Sequence, residues 1–149
     1  MITKKKLLFL LFFILTNCSY EAIYSKKSDL NILIKDFQLS GDKNINRKVI
    51  SSLKLEENKK TGYQLKLTSN SNVEIISRSS TGSATIYRST ITVYLLLSEE
   101  DKVIKQKKFA SSFTYNKNKN KFDFIQYQKN IKVNLINKIT EEIFIFLNT

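Results

Sequence analysis

The sequence predicts an α+β fold: a two-layer sandwich, with two helices packed on one face of a mainly antiparallel four-stranded sheet. Three observations carry this expectation. The run 84–98, ATIYRSTITVYLLLS, alternates with period two and is the longest strand signal in the chain. From Phe122 the period changes, and Tyr127, Ile131, Leu135, Ile139, Ile143 and Leu147 recur every four residues to the C-terminus. A second, shorter helical pattern near residue 45 lies between two further strand-like runs.

The elements follow in order. Leu30 to Leu39, LNILIKDFQL, is rich in β-branched and aromatic residues and ends in a Ser-Gly-Asp turn, so it reads as a strand. Asp42 or Asn44 then offers an N-cap to NINRKVISSLKLEEN, where Ile45, Val49 and Leu53 fall at helical spacing, and the helix is expected to end near Asn58. Next, Tyr63, Leu65 and Leu67 alternate with Gln64, Lys66 and Thr68, a strand with one wet face. Whether Val73–Ser77 extends it is open.

Within the run 84–98, Tyr87, Ser89, Ile91, Val93, Leu95 and Leu97 make the face expected to meet the core. Arg88, Thr90, Thr92 and Tyr94 lie on the other face, which should be partly exposed or covered by a partner. Glu99 to Lys102 reads as the turn of a hairpin, and Lys102 to Tyr115 as the returning strand. Strands this long exceed the usual five or six residues, so part of the hairpin should project beyond the core. The helix from Phe122 carries an aliphatic stripe that suits the cover of a sheet.

Composition bounds the function. The chain has 149 residues, 25 Lys and Arg against 13 Asp and Glu, and a net charge of +12. Such a charge favours anionic partners. The Lys, Asn, Ile and Ser bias runs evenly through every segment, so part of the basic excess is compositional drift. Histidine is absent and cysteine occurs once, so a Cys/His zinc site cannot be built and the commonest general base is missing. The acidic doublets Glu56-Glu57 and Glu141-Glu142 read as solvated surface. No phosphate loop or nucleophile elbow occurs, and the chain is not expected to be an enzyme or to need a cofactor.

The first eighteen residues carry the most specific signal. Lys4, Lys5 and Lys6 precede the apolar run Leu7–Leu15, which ends in Leu15-Thr16-Asn17-Cys18. That is a secretory signal followed by the pattern of a bacterial lipoprotein, cut before a cysteine whose thiol and new amino terminus take acyl chains. A spanning anchor would need about 20 apolar residues, more than this run provides. A plain signal peptide would leave the lone cysteine without a purpose. The organisation expected is a signal over 1–17, a lipidated tether over 18–29 and one domain over 30–149. Cleavage leaves 132 residues and removes three lysines and no acid, for a charge of +9. Two or more acyl chains on Cys18, at about 0.8 kcal/mol per buried methylene, anchor a protein stably to a membrane. Export argues against nucleic acid as the anionic partner.

An export signal, then strand, helix, three strands and a long last helix is a plan similar to that of the lipopolysaccharide-assembly lipoproteins of the LptE family. The local text resembles that family too. SATIYRSTITVYLLLSEEDKVIKQKKFASSFTYN is similar to its central hairpin, NINRKVISSLKLEEN to its first helix and IQYQKNIKVNLINKITEEIFIFL to its last. The resemblance implies an outer-membrane lipoprotein seated in the lumen of the β-barrel LptD, as plug and assembly partner for lipopolysaccharide delivery to the outer leaflet. It implies binding and shape rather than chemistry. A polar lumen would suit a wet sheet face. Lipid A phosphates would suit clustered cations. Arg88, one of three arginines and able to fork onto phosphate, is the first candidate for contact, followed by Lys105, Lys107 and Lys108. Tyr87, Tyr94, Phe109, Phe113 and Tyr115 suit core or barrel contacts. The alternative is a small envelope lipoprotein serving as an adaptor or structural module for another partner.

Overall fold

The computed structural model describes residues 30, 32–58 and 60–149. The expected signal, Cys18 and the expected tether lie outside them. The elements are β1 (Ile34–Gly41), α1 (Lys43–Leu53), β2 (Tyr63–Arg78), β3 (Ala84–Glu99), β4 (Lys102–Asn116) and α2 (Lys121–Asn148). The sheet has the order β1-β2-β3-β4. β1 runs parallel to β2, and the other two pairs are antiparallel. The expected α+β sandwich is present, with one parallel pair in an otherwise antiparallel sheet. That pair follows from α1, because a parallel return requires a crossover segment between the two strands.

Both helices lie on one side. The inward residues of β3 alternate as the sequence requires: Ile91, Val93, Leu95 and Leu97 are buried, with Leu65 and Leu67 of β2 beside them. From the helices come Ile45, Val49 and Leu53 of α1 and Ile131, Leu135, Ile139 and Ile143 of α2. α2 runs antiparallel to β4. Its first turns reach Tyr87 and Tyr115 through Phe124, and its last reaches Phe109 through Phe146.

Two boundaries differ from the sequence expectation, and a third that it left open is now defined. β1 starts at Ile34 rather than Leu30; Leu30 and Ile32 pack on the core from an irregular segment, and the Leu33 carbonyl accepts the Tyr63 N–H at 2.9 Å. α1 stops at Leu53, five residues short of Asn58, because Lys54 takes a left-handed conformation and its N–H turns back to the carbonyls of Ile50 and Ser51. This frees Leu55 to enter the core and Glu57 to bridge beside Ile34. β2 is one strand through Arg78, with irregular pairing only after Ile75. The β3–β4 hairpin closes on Glu100 and Asp101, both at positive φ, as a two-residue primed turn demands.

The corner between β1 and α1 is the tightest joint in the fold. Asp42 caps α1, accepting the N–H groups of Asn44 at 2.9 Å and Ile45 at 3.2 Å. Its other oxygen accepts the Lys132 ammonium of α2 at 2.8 Å. Asn46 donates to the Ser40 carbonyl at 2.8 Å, and the Ser69 hydroxyl donates to the Asp42 carbonyl at 3.1 Å. The Lys132 hydrogen bond, aided by the two backbone N–H groups and the lysine charge, holds the Asp42 carboxyl below the ordinary aspartate range against a smaller opposing effect of burial.

A folded-state pKa depressed in this way adds stability above the unfolded value of about 4, and that stability is lost as pH falls through the lowered folded value. Asp42→Ala is therefore expected to cost about 1–2 kcal/mol at pH 7. The gap from the parent should narrow as pH drops below about 4. Urea melts at pH 7 and pH 2.5 measure both; a gap that does not narrow in acid contradicts the linkage.

Candidate functional site: the uncovered sheet face

Among the described residues, one face of the sheet is left open. Strand alternation places Thr68, Asn70 and Asn72 of β2, Thr90 and Thr92 of β3, and Ser112 and Thr114 of β4 on it. Hydroxyl and amide groups dominate its centre because the same period that sends Ile91 and Val93 inward sends threonines outward. Ser40 and Thr68 share a hydroxyl–hydroxyl hydrogen bond at 2.8 Å, and the Tyr94 hydroxyl donates to Gln106 Oε1 at 3.0 Å. Among the described residues, no group of His, Cys, Asp or Glu could hold a metal.

Arg88 stands on this face near one end. Its Nε donates to Thr114 Oγ1 at 3.2 Å, and its Nη1 lies 3.6 Å from Glu74 Oε1. One row across three strands thus carries Glu74, Arg88 and Thr114, in register. The guanidinium is held at its base, yet the side chain remains 44% exposed. Lys108 shares the open face, opposite Tyr94. Six strand positions separate it from the level of Thr114, roughly 20 Å along the strand.

Lys105 and Lys107 lie on the other side of β4. Lys105 Nζ donates to the carbonyls of Phe146 and Leu147 at 3.1 and 3.2 Å. The last turn of α2 has no basic residue of its own, so β4 supplies the cation that its terminal carbonyls favour. Lys107 Nζ sits 5.2 Å from the Phe109 ring centre and 5.4 Å from that of Phe146. The lysines that are neighbours in sequence are therefore divided between two faces; of the four candidate cations only Arg88 and Lys108 share the open one, where Lys66 of β2 also lies. Cys18 lies outside the described residues.

The aromatic residues divide as well. Phe109 and Tyr115 are buried, Tyr94 is half-buried on the open face, and Phe113 is exposed. Tyr87, Tyr115, Phe124 and Tyr127 form one ring cluster where the start of α2 meets the sheet. Glu74 as the partner of Arg88 had no sequence signal, since it depends on strand register. The Asp42–Lys132 pair spans 90 residues and was equally hidden.

The fold is one shared with solved bacterial lipoproteins. The crystal structure of rare lipoprotein B from Shewanella oneidensis matches with a TM-score of 0.53 and 15% identity, over 72% of this chain and 92% of that one. A minor lipoprotein from Acinetobacter baumannii gives 0.60 and 12%, over 75% and 87%. The solution structure of lipoprotein B from Nitrosomonas europaea gives 0.63 and 7%, over 77% and 81%. At such identities the likeness is one of fold. No protein-family model matches the chain, and no curated protein matches it.

Proposed function

We propose that this chain is an outer-membrane lipoprotein, acylated at Cys18, that sits in the lumen of an LptD-type β-barrel and helps that barrel assemble and deliver lipopolysaccharide to the outer leaflet. The observation that carries the reading is the open sheet face. It is hydroxyl- and amide-rich, spans three long strands and is backed by a closed apolar core. A lumen wall of a large barrel is polar and wet, and a hydrated face of this kind meets it without burying unpaired groups. The fold shared with proteins named as lipoproteins and the lipoprotein signal at residues 1–18 support the same reading.

The work assigned to the chain is binding and shape, with no bond made or broken. The acyl chains hold the domain at the membrane. The open face complements the barrel wall, and Arg88 offers a cation at one end of it. Lys108 offers a second one, separate from the first. Lys105 and Lys107 then act on α2 rather than on a phosphate.

Arg88→Glu tests the division of labour. The change reverses the charge and places two acids side by side at positions 74 and 88. We expect binding of purified lipopolysaccharide to weaken by about tenfold, equivalent to roughly 1.4 kcal/mol, while the barrel complex still forms. Loss of both would move Arg88 to structural duty, and retention of both would remove it from the site.

A further inference from the structure

β1 leaves β2 half-way along. Its last register partners are Gly41 and Ser69, and the chain turns there into α1. β2 continues to Arg78, and among the described residues only β3 pairs with that second half. The outward backbone groups can be assigned. The Asp42 N–H donates to the Ser69 carbonyl at 3.1 Å, so Ser69 directs its backbone toward the β1 side. Strand alternation then points the N–H and C=O groups of Ser71, Val73 and Ile75 to the same free edge.

The surroundings of this edge are specific. α1 returns toward the start of β1 and leaves Val73 and Ile75 50% and 43% exposed. Ile125 and Phe122, in the first turns of α2, are exposed at the same end of the molecule, where Phe124 meets Tyr87, the register partner of Ile75. Natural sheets guard their edges with lysine or proline. β4, the outer strand on the opposite side, follows that rule with Lys102, Lys105, Lys107 and Lys108. The stretch from Ser69 to Ile76 has neither residue. Its charge setting is basic: Lys43 stands at the α1 end and Arg78 at the other, whereas Asp42 and Glu74 are already paired with Lys132 and Arg88.

We infer that the Ser71–Ile75 edge of β2 accepts an extended, net-acidic segment of a partner protein as an added strand, in line with β1. Backbone groups left unpaired among the described residues call for another extended backbone, and the apolar side chains at alternate positions give it purchase. Lys43 and Arg78 favour acidic residues toward the two ends of that segment. A second copy of this chain would set the same basic corner against itself. The inference does not rest on the barrel assignment: the edge borders the open face one strand from Arg88, but its readout is amide protection on β2 rather than recovery of a barrel.

The test uses the full-length protein in detergent micelles, with an acetylated octapeptide of alternating Val and Glu as the probe. Amide exchange is read residue by residue. The amides of Ser71, Val73 and Ile75 should slow by about tenfold or more with the Val-Glu peptide, and its Val-Lys counterpart should bind about tenfold more weakly. Val73→Pro removes an outward N–H only, so the β2–β3 ladder and the melting curve should survive while the protection disappears. Asn72→Pro, whose N–H faces β3, should disrupt the hairpin instead. Absence of protection at those three amides with saturating peptide overturns the inference, and this reading needs no variant. So does protection that persists in a folded Val73→Pro protein. Protection that grows with protein concentration without peptide overturns the acidic partner in favour of self-pairing.

Discussion

Replacing Gly41 with alanine is expected to lower stability by about 2–6 kcal/mol. Two costs combine. Gly41 holds φ at +84°, where an L side chain is strained by about 1–3 kcal/mol. A Cβ at this position would also lie 1.8 Å from the Ser69 carbonyl oxygen, a backbone atom of the neighbouring strand. That atom cannot swing aside, because it accepts the Asp42 N–H that closes the corner. Forcing atoms into such a contact costs a further 1–3 kcal/mol, roughly. Gly82 separates the two costs. It has a similar φ of +80° and nothing within 4 Å of a built Cβ, so Gly82→Ala should show the strain alone, about 1 kcal/mol. Thermal melts followed by circular dichroism compare the pair, and equal losses would remove the close approach from the explanation.

Phe109→Ala should cost about 3–5 kcal/mol, the usual range for emptying a buried phenylalanine site. Phe109 is among the largest fully buried side chains and meets Phe146 edge-on, with ring centres 5.7 Å apart. The contact clamps the end of α2 to the middle of β4. Lys107 lies over both rings, and Lys105 reaches the last carbonyls of the helix beside them. Loss of the ring should therefore loosen the last turns of α2 before the rest of the domain. Faster amide exchange at 143–148 than in β3, under conditions where the variant remains folded, is the expected sign. A double-mutant cycle with Phe146→Ala should return a coupling of about 0.5–1.5 kcal/mol. A coupling near zero would mean that the ring contributes burial alone.

What could be read in advance depended on periodicity. β3 was legible because its inward positions are aliphatic almost throughout and its outward positions carry threonine and arginine. α2 was legible because its stripe repeats every four residues over the whole element. The end of α1 was not, since the segment on to Asn58 holds no glycine or proline to mark a stop, yet Lys54 turns the chain. The parallel pairing of β1 and β2 lay beyond local pattern, as did the meeting of Glu74 with Arg88; both require the register of distant strands. The lysines are instructive. Lys105 and Lys107 share the parity of Phe109 and Tyr115, so alternation alone separates them from Lys108. Their work on α2 depends on that helix running back along β4, which no local signal in either segment specifies.

The open face was anticipated as wet or partner-covered, and it is uncovered among the described residues. Its chemistry follows from composition at alternate positions, whereas the placement of its charges follows from register. Arg88 stands apart from Lys66 and Lys108 on it, so a phosphate-bearing ligand would meet separated cations rather than one cluster.

The central claim is best tested by purifying the tagged, full-length protein from membranes and identifying what accompanies it by mass spectrometry. A large outer-membrane β-barrel is expected in near-stoichiometric amount. Recovery of the protein acylated on Cys18 with no barrel would contradict it, and would leave an envelope lipoprotein that serves a different partner.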